Sequence, residues 1–311
     1  MNETSGIGLT DKTHYRWLLL GAGGQLGREW EQYLNNHGQR FKAFRKDTLD
    51  IADPESLHEV LEDFKPDILI NAAAYTAVDQ AEVDEKEAER INSLAVANIA
   101  RECAQRGVLL VHYSTDYVFQ GSLNDRRHYP EGYPETAPIK PVNVYGRTKW
   151  NGEQAIRHMS PPHLILRVSW LCGHHGKNFI YTMLRLASDK NIIKVVDDQY
   201  GTPTFTGPAV INSCRLIESG CRGTYHISCD GETNWYEFAL AVFDEYERLG
   251  NPRQTNLSIK PIPTSEYPTR AARPQWSRLG IKRLADIERT RILHWRSELR
   301  TFMQNLPVTE E

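Results

Sequence analysis

Tyr145 and Lys149 are the side chains most suited to chemistry in this sequence, because they form a YxxxK pattern where a helix is predicted to start. A spacing of four places both side chains on one face of that helix. A nearby ammonium favours a phenolate and so lowers the pKa of a tyrosine from about 10. Such a tyrosine can give a proton to the oxygen of a carbonyl group that is being reduced. The alternative is a solvent-exposed helix face without a function, since YxxxK also occurs by chance.

A hydroxyl group suited to the same reaction follows a predicted strand. Val108–Tyr113 has the apolar character of a buried strand, and Ser114, Thr115 and Asp116 come directly after it. Side chains at the carboxyl end of a parallel strand face the ligand crevice of an α/β sheet. Thr115 is therefore predicted to hydrogen-bond the reacting oxygen.

A glycine-rich turn predicts a dinucleotide site. Gly21, Gly24 and Gly27 form a GxxGxxG pattern between a predicted strand, Arg16–Leu20, and a predicted helix, Gln25–Asn36. The first glycine permits a tight turn, the second lets backbone N–H groups approach a pyrophosphate, and the third lets helix and strand pack closely. The helix N-terminus adds a positive potential that favours phosphate. A flexible turn is the alternative, but the flanking strand and helix favour dinucleotide binding.

The end of the second predicted strand indicates which dinucleotide binds. NAD-specific folds usually place Asp or Glu there, about 20 residues after the turn. This strand ends instead in Arg45 and Lys46. Arginine and lysine can pair with the 2′-phosphate of NADP. NADPH is thus the predicted coenzyme, and NADH stays open because exposed basic pairs are common on protein surfaces.

The elements that must position these residues alternate between short apolar runs and helical patterns, which predicts βαβ units. Such units build an α/β fold with a doubly wound parallel sheet, the Rossmann arrangement. We expect a flexible N-terminal extension over residues 1–15, an NADP-binding domain over 16–170 with a returning segment near 203–219, and a smaller mixed substrate lobe over 171–311. A single helix is predicted to close the chain over Leu284–Gln304. The ligand cleft should lie between the two lobes.

Composition excludes several classes of protein. The 311 residues include 37 basic and 40 acidic side chains, so the net charge of -3 argues against a nucleic-acid partner. The longest apolar run lies near Trp17–Leu20 and is far shorter than the ~20 residues of a membrane helix. The five cysteines are odd in number and form no CxxC pair, which argues against a disulfide framework. A reducing compartment, the cytoplasm, is the expected location.

The order of these motifs resembles that of the extended short-chain dehydrogenases/reductases. Longer segments are similar to the dTDP-4-dehydrorhamnose reductase family, and the resemblance covers about residues 16–305. These segments are Asn71-Ala-Ala-Ala-Tyr-Thr-Ala-Val-Asp-Gln-Ala-Glu82, Ser114-Thr-Asp-Tyr-Val-Phe119, Tyr145-Gly-Arg-Thr-Lys149, Arg167-Val-Ser-Trp170 and Asp198-Gln-Tyr-Gly-Thr-Pro203. The resemblance implies NADPH-dependent reduction of the C4 ketone of dTDP-4-dehydro-L-rhamnose to dTDP-L-rhamnose, a precursor of surface polysaccharide.

The resemblance also implies roles for single residues. Thr115, Tyr145 and Lys149 match the catalytic trio of the family, and the lysine and tyrosine also contact the coenzyme. Together with Gly21, Gly24, Gly27 and Arg45, the positions expected to contact the dinucleotide are Gln25, Leu26, Asp50, Ile51, Ala74, Tyr75, Thr76 and Tyr113. The positions expected near the sugar are Val78, Thr115, Asp116 and Trp170.

Some of these residues have a second interpretation. The indole of Trp170 can stack on a sugar face, although most tryptophans at a strand end belong to the core. Arg273, with Arg270, could clamp a nucleotide diphosphate, although isolated surface arginines are common. Glu29 fits one place where relatives bind magnesium at a dimer contact, but its fellow ligands are not identified, so Mg²⁺ stays open. A homodimer is expected, and the loop Gln120–Pro134 is expected to reshape the mouth of the cleft.

Two other functions stay open at this point. One is reduction or epimerisation of another nucleotide-linked 4-keto-6-deoxy sugar. The other is a non-catalytic NADP-binding role, because a regulatory subunit of methionine adenosyltransferase also resembles this superfamily. The Asp198–Pro203 segment and the alanine-rich run after Asn71 resemble the enzyme more closely.

Overall fold

The computed structural model describes residues 15–251, 257–287, 290 and 292–306. The strands are β1 (Arg16–Leu20), β2 (Arg40–Phe44), β3 (Ile68–Asn71), β4 (Leu109–Thr115), β5 (His163–Val168), β6 (Leu171–Cys172), β7 (Ile192–Val196), β8 (Tyr200–Gly201), β9 (Thr204–Phe205), β10 (Gly223–His226), β11 (Thr233–Asn234) and β12 (Ser258–Ile262). The helices are α1 (Gln25–Asn36), α2 (Pro54–Phe64), α3 (Val78–Ala81), α4 (Glu85–Glu89), α5 (Ala95–Arg106), α6 (Leu123–His128), α7 (Val144–Met159), α8 (Phe179–Asp189), α9 (Thr206–Glu218), α10 (Trp235–Arg248), α11 (Lys282–Ala285) and α12 (Trp295–Gln304).

Six strands form one parallel sheet in the order β2-β1-β3-β4-β5-β10. Every residue of β3 and β4 is buried, as expected for strands that are covered on both faces. The strand order reverses direction beside β1, and ligands bind at such a switch point, beyond the carboxyl ends of the strands. The predicted doubly wound α/β fold is therefore confirmed.

Two apolar layers sandwich the sheet. On one face, α1 and α9 pack through residues such as Trp30, Leu34 and Val210. On the other face, α2, α5 and α7 pack through residues such as Leu61 and Ile156. Because α9 follows the second-lobe strands β6 to β9 in the chain, the polypeptide returns to the sheet before it adds β10 at the edge.

The second lobe has separate cores built on short strand pairs and three longer helices. One core gathers residues of α8, α10 and α12, including Ile180, Phe238 and Phe302. Beside it, β7 pairs in parallel with β12 and packs Ile193 and Ile259 inward. This lobe is smaller and less regular than the first, which confirms the expected mixed architecture.

Local sequence rules explain several element boundaries. The predicted start of α2 is confirmed, since Asp53 accepts a hydrogen bond from the Glu55 backbone N–H at 3.2 Å and Pro54 occupies the first turn. The single C-terminal helix predicted over Leu284–Gln304 is wrong. In the part of the chain that the structure describes, α11 ends at Ala285 and α12 begins at Trp295, where the His294 side chain caps it.

The long loop after β4 also differs from expectation. It contains α6, which Ser122 and Asp125 fix through a reciprocal capping box. The loop packs through Tyr133 against Phe119 and Trp276, which form a small core outside the two sheet layers. None of the residues 120–134 lines the main cleft, so the expectation that this loop reshapes the cleft mouth is wrong.

The predicted N-terminal extension over residues 1–15 lies outside the described residues except for Tyr15. Among the helices that the structure describes, none is long and apolar enough to cross a membrane.

Candidate active site

A cleft of about 760 Å³ opens where the carboxyl ends of β1, β3 and β4 meet the second lobe. Seventeen of the residues that the sequence singled out line it. They are Gly21, Gly24, Gln25, Leu26, Arg45, Asp50, Ile51, Ala74, Tyr75, Thr76, Val78, Tyr113, Thr115, Asp116, Tyr145, Lys149 and Trp170. The structure thus brings the glycine turn, the YxxxK helix and the strand-end hydroxyl into one site.

The glycine turn has the geometry that a pyrophosphate requires. Gly21 has a φ of 81°, and a Cβ there would lie 2.5 Å from the Ala73 backbone nitrogen. Gly27 lies outside the cleft lining, and a Cβ there would collide with the Gly21 carbonyl, so its role is close packing of α1 against the turn. Gly24 precedes α1 with no side chain capping the helix, and Gly24, Gln25 and Leu26 line the cleft at this helix start.

Tyr145 and Lys149 lie in the first two turns of α7. The helix starts at a buried cap, because Asn143 accepts a hydrogen bond from the Gly146 N–H at 2.8 Å. Gly146 lets α7 approach the Tyr117 carbonyl so closely that any Cβ would collide with it. This approach sets Tyr145 beside the end of β4.

The electrostatics of Tyr145 differ from the expectation based on YxxxK. Burial raises the pKa of Tyr145 above its ordinary value, and a hydrogen bond with Thr115 opposes the shift only in part. Burial therefore dominates the pKa of Tyr145, and the expectation of a net lowering by Lys149 is wrong. The phenol stays protonated at neutral pH, which is the state that a proton donor needs.

Lys149 is almost fully buried, with 2% of its surface exposed. Its Nζ donates a hydrogen bond to the Tyr113 carbonyl at 2.6 Å and lies 3.4 Å from Nε2 of His112. Burial lowers the pKa of Lys149 to about 8, although the Glu153 carboxylate opposes the shift. The side chain of Lys149 therefore exchanges between its amine and ammonium forms near pH 8.

Thr115 and Asp116 form a polar pair at the end of β4. The Thr115 hydroxyl donates to Asp116 Oδ1 at 3.1 Å and accepts from the Tyr117 backbone N–H at 3.2 Å. Burial raises the pKa of Asp116 to about 7, against the effect of hydrogen bonds from Ser277 and Thr115. Oδ2 of Asp116 is buried with no hydrogen-bond partner among the described residues. An unpaired buried oxygen in a cleft is suited to a ligand hydroxyl.

The far end of the cleft carries the basic pair predicted for a 2′-phosphate. Arg45 is half-exposed and lies 3.3 Å from the Glu31 carboxylate, and Lys46 stands beside it in the lining. Asp50 accepts a hydrogen bond from Arg90 at 2.9 Å, and that arginine also binds Glu87. The cleft therefore runs from the cations at this end to Thr115, Tyr145 and Lys149 at the other.

The second lobe is fixed directly to the glycine turn. Gln25 Oε1 accepts hydrogen bonds from the Gly173 N–H at 2.8 Å and from Asn178 Nδ2 at 3.2 Å. This arrangement sets Gly176 and the exposed Lys177 at the edge of the cleft. Gln25 lines the cleft as predicted, but its side-chain oxygen is used to join the lobes.

Trp170 lies in the lining with a geometry that changes its expected role. Its φ of 44° is uncommon for a residue with a side chain, and such strain is found at functional sites. The Trp235 ring stacks on it with centroids 3.5 Å apart, and a Cβ at Gly201 would lie 2.8 Å from the indole. The Trp235 ring thus covers one face of the indole, and the Gly201 backbone lies close to it, so stacking of a sugar on the covered face would require the two tryptophans to separate.

Three predicted residues lie outside the cleft lining. Arg273 binds Asp79 at 2.6 Å and packs beside Tyr117, so it acts one layer behind the cleft. Glu29 accepts a hydrogen bond from the Thr206 hydroxyl at 2.8 Å. Within the described residues, no group of three or more candidate ligands for a metal ion is present, so the structure adds nothing to the magnesium hypothesis. Gly27, the third, supports the turn from beneath.

The sequence did not single out several residues that line the cleft. Tyr117 packs edge-on against Tyr145 with centroids 5.8 Å apart, and Trp235 stacks on Trp170. Lys177 comes from a loop whose position only the fold reveals. Tyr117 lies inside the Ser114–Phe119 motif, which could have indicated it, whereas Trp235 and Lys177 had no comparable signal.

Comparison with known proteins shows which family this chain belongs to. The family model described as the RmlD substrate binding domain matches residues 15–308. The dTDP-4-dehydrorhamnose reductase of Aggregatibacter actinomycetemcomitans is 38% identical over 277 residues, which span 86% of this chain and 92% of that protein. A dTDP-4-keto-6-deoxy-D-glucose reductase of Streptomyces niveus is 36% identical over 286 residues, 91% of this chain and 95% of that protein.

A solved structure extends the similarity to three dimensions. The dTDP-4-dehydrorhamnose reductase of Bacillus anthracis str. Ames, crystallised in complex with NADP, superposes with a TM-score of 0.86 at 34% identity. The match covers 94% of this chain and 99% of that one. Sequence and fold agree over nearly the whole chain, and the chain therefore belongs to the RmlD substrate-binding domain family.

Proposed function

We propose that the protein reduces the C4 ketone of dTDP-4-dehydro-L-rhamnose to dTDP-L-rhamnose with NADPH, a step in nucleotide-sugar and polysaccharide biosynthesis. One observation carries the proposal. In a chain 38% identical to a reductase of that name, Thr115, Tyr145 and Lys149 converge in the same cleft as the glycine turn.

The residues present fit a dinucleotide phosphate. The Gly21–Gly24 turn leaves no room for side chains, the start of α1 has no side-chain cap, and Arg45 and Lys46 supply positive charge at the far end. When bound, NADPH supplies the hydride that reduces the ketone. In this proposal the ammonium of Lys149 would hold the ribose, and the Ala74–Thr76 segment would line the nicotinamide half.

Tyr145 acts as the proton donor in this proposal. Because burial raises its pKa, the phenol carries its proton until the oxygen of the ketone becomes an alkoxide. Thr115 is placed to turn its hydroxyl from Asp116 towards that same oxygen, since its present hydrogen bond is 3.1 Å long. The charge of Lys149 then stabilises the phenolate that remains.

Asp116 is proposed as the main hydrogen-bond acceptor for the sugar. Its Oδ2 has no partner among the described residues, so a sugar hydroxyl would satisfy it. Val78 contributes an apolar wall, and Trp170 meets the sugar through the edge of its indole while Trp235 holds its face. Arg273 supports this wall through Tyr117 instead of clamping the diphosphate itself.

The test is an absorbance assay of NADPH oxidation with dTDP-4-dehydro-L-rhamnose, followed by stereochemical analysis of the product. We expect rapid oxidation and a product with the rhamno configuration. Absence of oxidation with this substrate, in protein that binds NADPH, would contradict the proposal.

A second substrate deserves the same assay. The Streptomyces niveus relative is named for dTDP-4-keto-6-deoxy-D-glucose, and it matches this chain nearly as well. Faster turnover of that substrate would favour this second function. Because both sugars share the C4 ketone, the catalytic roles proposed above would stay the same.

Arg45 should decide the preference for NADPH. We expect Arg45→Ala to weaken NADPH binding about tenfold, because a charge-assisted hydrogen bond to the 2′-phosphate contributes about 1.5 kcal/mol or more. NADH affinity should stay unchanged, since NADH lacks that phosphate. Calorimetric titration with both coenzymes measures the two dissociation constants.

The control for Arg45 lies on β2, the strand that comes directly before it. Lys42 is an equally exposed cation that pairs with Asp63 at 2.6 Å and does not line the cleft. Lys42→Ala should leave both affinities unchanged. An equal loss of NADH and NADPH affinity in Arg45→Ala would show that the guanidinium does not bind the 2′-phosphate.

We propose two further properties: a homodimer, which the resemblance implies, and a cytoplasmic location, which the cysteine content favours. Both are proposals, and size-exclusion chromatography with light scattering and cell fractionation would test them.

A further inference from the structure

A buried hydrogen-bonded chain lies directly behind Lys149 and has no part in the mechanism described so far. It consists of Asn71 at the end of β3 and His112 on β4, both with 0% of their surface exposed. Asn71 Nδ2 lies 3.1 Å from His112 Nδ1, and His112 Nε2 lies 3.4 Å from Lys149 Nζ. The chain thus ends on the catalytic lysine.

The direction of these hydrogen bonds follows from the backbone group that fixes the Asn71 amide. The backbone N–H of Ala73 donates to Asn71 Oδ1 at 3.1 Å, so the oxygen of this amide is already assigned. The other end of the amide, Nδ2, is a donor and faces His112 Nδ1. Nδ1 must therefore accept. A neutral imidazole then carries its single proton on Nε2, which faces Lys149.

We infer that His112, held in its Nε2–H tautomer by Asn71, is a positioning residue that donates to the amine of Lys149 and so sets the charge that Lys149 carries in the cleft. An amine nitrogen offers a lone pair to that N–H. An ammonium would instead meet it with a hydrogen of its own, while still donating to the Tyr113 carbonyl. The imidazole therefore favours the neutral form of the lysine.

Other charged or titratable groups near Lys149 also affect its equilibrium between amine and ammonium. Glu153, one turn further along α7, favours the ammonium, whereas burial opposes it. Tyr145, one turn earlier, and Asp116, after β4, line the same cleft. Burial lowers the pKa of His112 well below its ordinary value, so the ring stays neutral and acts through its dipole.

A second buried histidine supplies a matched control. His226 on β10 is also fully buried, but its surroundings impose the opposite tautomer. Its Nδ1 lies 3.2 Å from the Gly280 carbonyl, an acceptor, and its Nε2 lies 3.4 Å from the Arg167 guanidinium, a donor. His226 must therefore carry its proton on Nδ1.

The first experiment is nitrogen-15 NMR of the wild-type protein labelled at histidine, without ligand. We expect two rings that stay neutral from pH 5 to 9, with the proton on Nε2 in His112 and on Nδ1 in His226. Lys149→Met identifies His112, because only that ring should change its Nε2 shift. A proton on Nδ1 of His112 overturns the inference, and this result does not depend on any enzymatic activity.

The second experiment compares pH profiles of kcat/KM for His112→Leu and His226→Leu, and this arm rests on the proposed function. Because the pKa of Tyr145 is raised, the alkaline limb near pH 8 belongs to Lys149. Loss of the His112 donor should move that limb to higher pH by about half to one unit, the effect of one neutral hydrogen bond.

His226→Leu removes an equally buried imidazole and should leave the limb where it is. An unmoved limb in a folded His112→Leu protein contradicts the inference, as does an equal shift in both variants. If no 4-keto sugar is reduced at all, the proposed function fails and the NMR result alone decides the tautomer.

Discussion

Tyr145→Phe should lower kcat by about 10²–10⁴-fold, the usual contribution of a positioned general acid. The variant removes one oxygen and leaves the ring packed against Tyr117 at a centroid distance of 5.8 Å. Coenzyme and sugar nucleotide should still bind, because the ring and the other residues that line the cleft stay in place. Steady-state kinetics and calorimetric binding of dTDP-L-rhamnose measure the two effects separately.

The matched control is Tyr117→Phe, which removes a phenol oxygen from the same cleft. That hydroxyl interacts with Arg273, and burial raises the pKa of Tyr117 to about 12. It is not placed to give a proton to the ketone, so we expect less than about a tenfold loss of kcat. Similar losses in the two variants would show that the cleft needs both rings for its shape and that Tyr145 is not the specific proton donor.

Local sequence signals were enough to predict the dinucleotide half. The Gly21–Gly27 turn, the Pro54 helix start and the apolar runs of β1 to β5 depend on neighbouring residues, so their patterns can be interpreted without a fold. The order of the strands follows from the rules for parallel crossovers. Within the site, the same rules bring Thr115 and Tyr145 together, because a strand end and the following helix share one crevice.

The second lobe could not be predicted in the same way, since its contacts join distant segments. Trp235 lies 65 residues after Trp170, yet their rings stack at 3.5 Å and cover the face expected to meet the sugar. Lys177 reaches the cleft because Gln25 binds the loop that carries it. The hydrogen bond that does so joins Gln25 to Gly173, which are 148 residues apart in the sequence. No short-range pattern records such contacts.

The pKa of Tyr145 shows a different limit of sequence reasoning. The spacing in YxxxK correctly places Lys149 on the same helix, but the direction of the lysine is set by the Tyr113 carbonyl at 2.6 Å. Burial then dominates the electrostatics of the phenol. Spacing indicates which residues are neighbours, whereas burial and competing acceptors determine how far their charges interact.

A buried ion pair holds the catalytic helix against the sheet. Glu153 on α7 and Arg167 on β5 are 0% and 1% exposed, and they share two hydrogen bonds of 2.9 and 2.7 Å. Glu153 also accepts a bond of 2.6 Å from Ser114, the residue before Thr115. Burial alone would raise the pKa of Glu153, but Arg167, Ser114 and Arg157 outweigh it and hold the pKa below its ordinary value.

Glu153→Leu should lower stability by about 3–5 kcal/mol, because the guanidinium of Arg167 would stay buried without its partner. This corresponds to a fall in Tm of about 6–20 °C, at about 2–4 °C per kcal/mol. Arg157→Ala, which removes the half-exposed partner of the same carboxylate, should cost less than about 1 kcal/mol. Differential scanning calorimetry measures both.

The double variant Glu153→Leu with Arg167→Met distinguishes two reasons for instability. One is loss of the attraction between Glu153 and Arg167, and the other is a buried Arg167 charge that has lost its partner. If the single variant is unstable because Arg167 stays charged and buried without a partner, removing that charge as well should restore at least half of the lost stability. Apolar pairs often replace buried ion pairs at little cost in stability. No recovery would instead mean that the hydrogen bond to Ser114 and the attraction between Glu153 and Arg167 stabilise the fold.

In either case Lys149 loses the Glu153 carboxylate, which favours its ammonium form, so the alkaline limb of the pH profile of kcat/KM should move to lower pH.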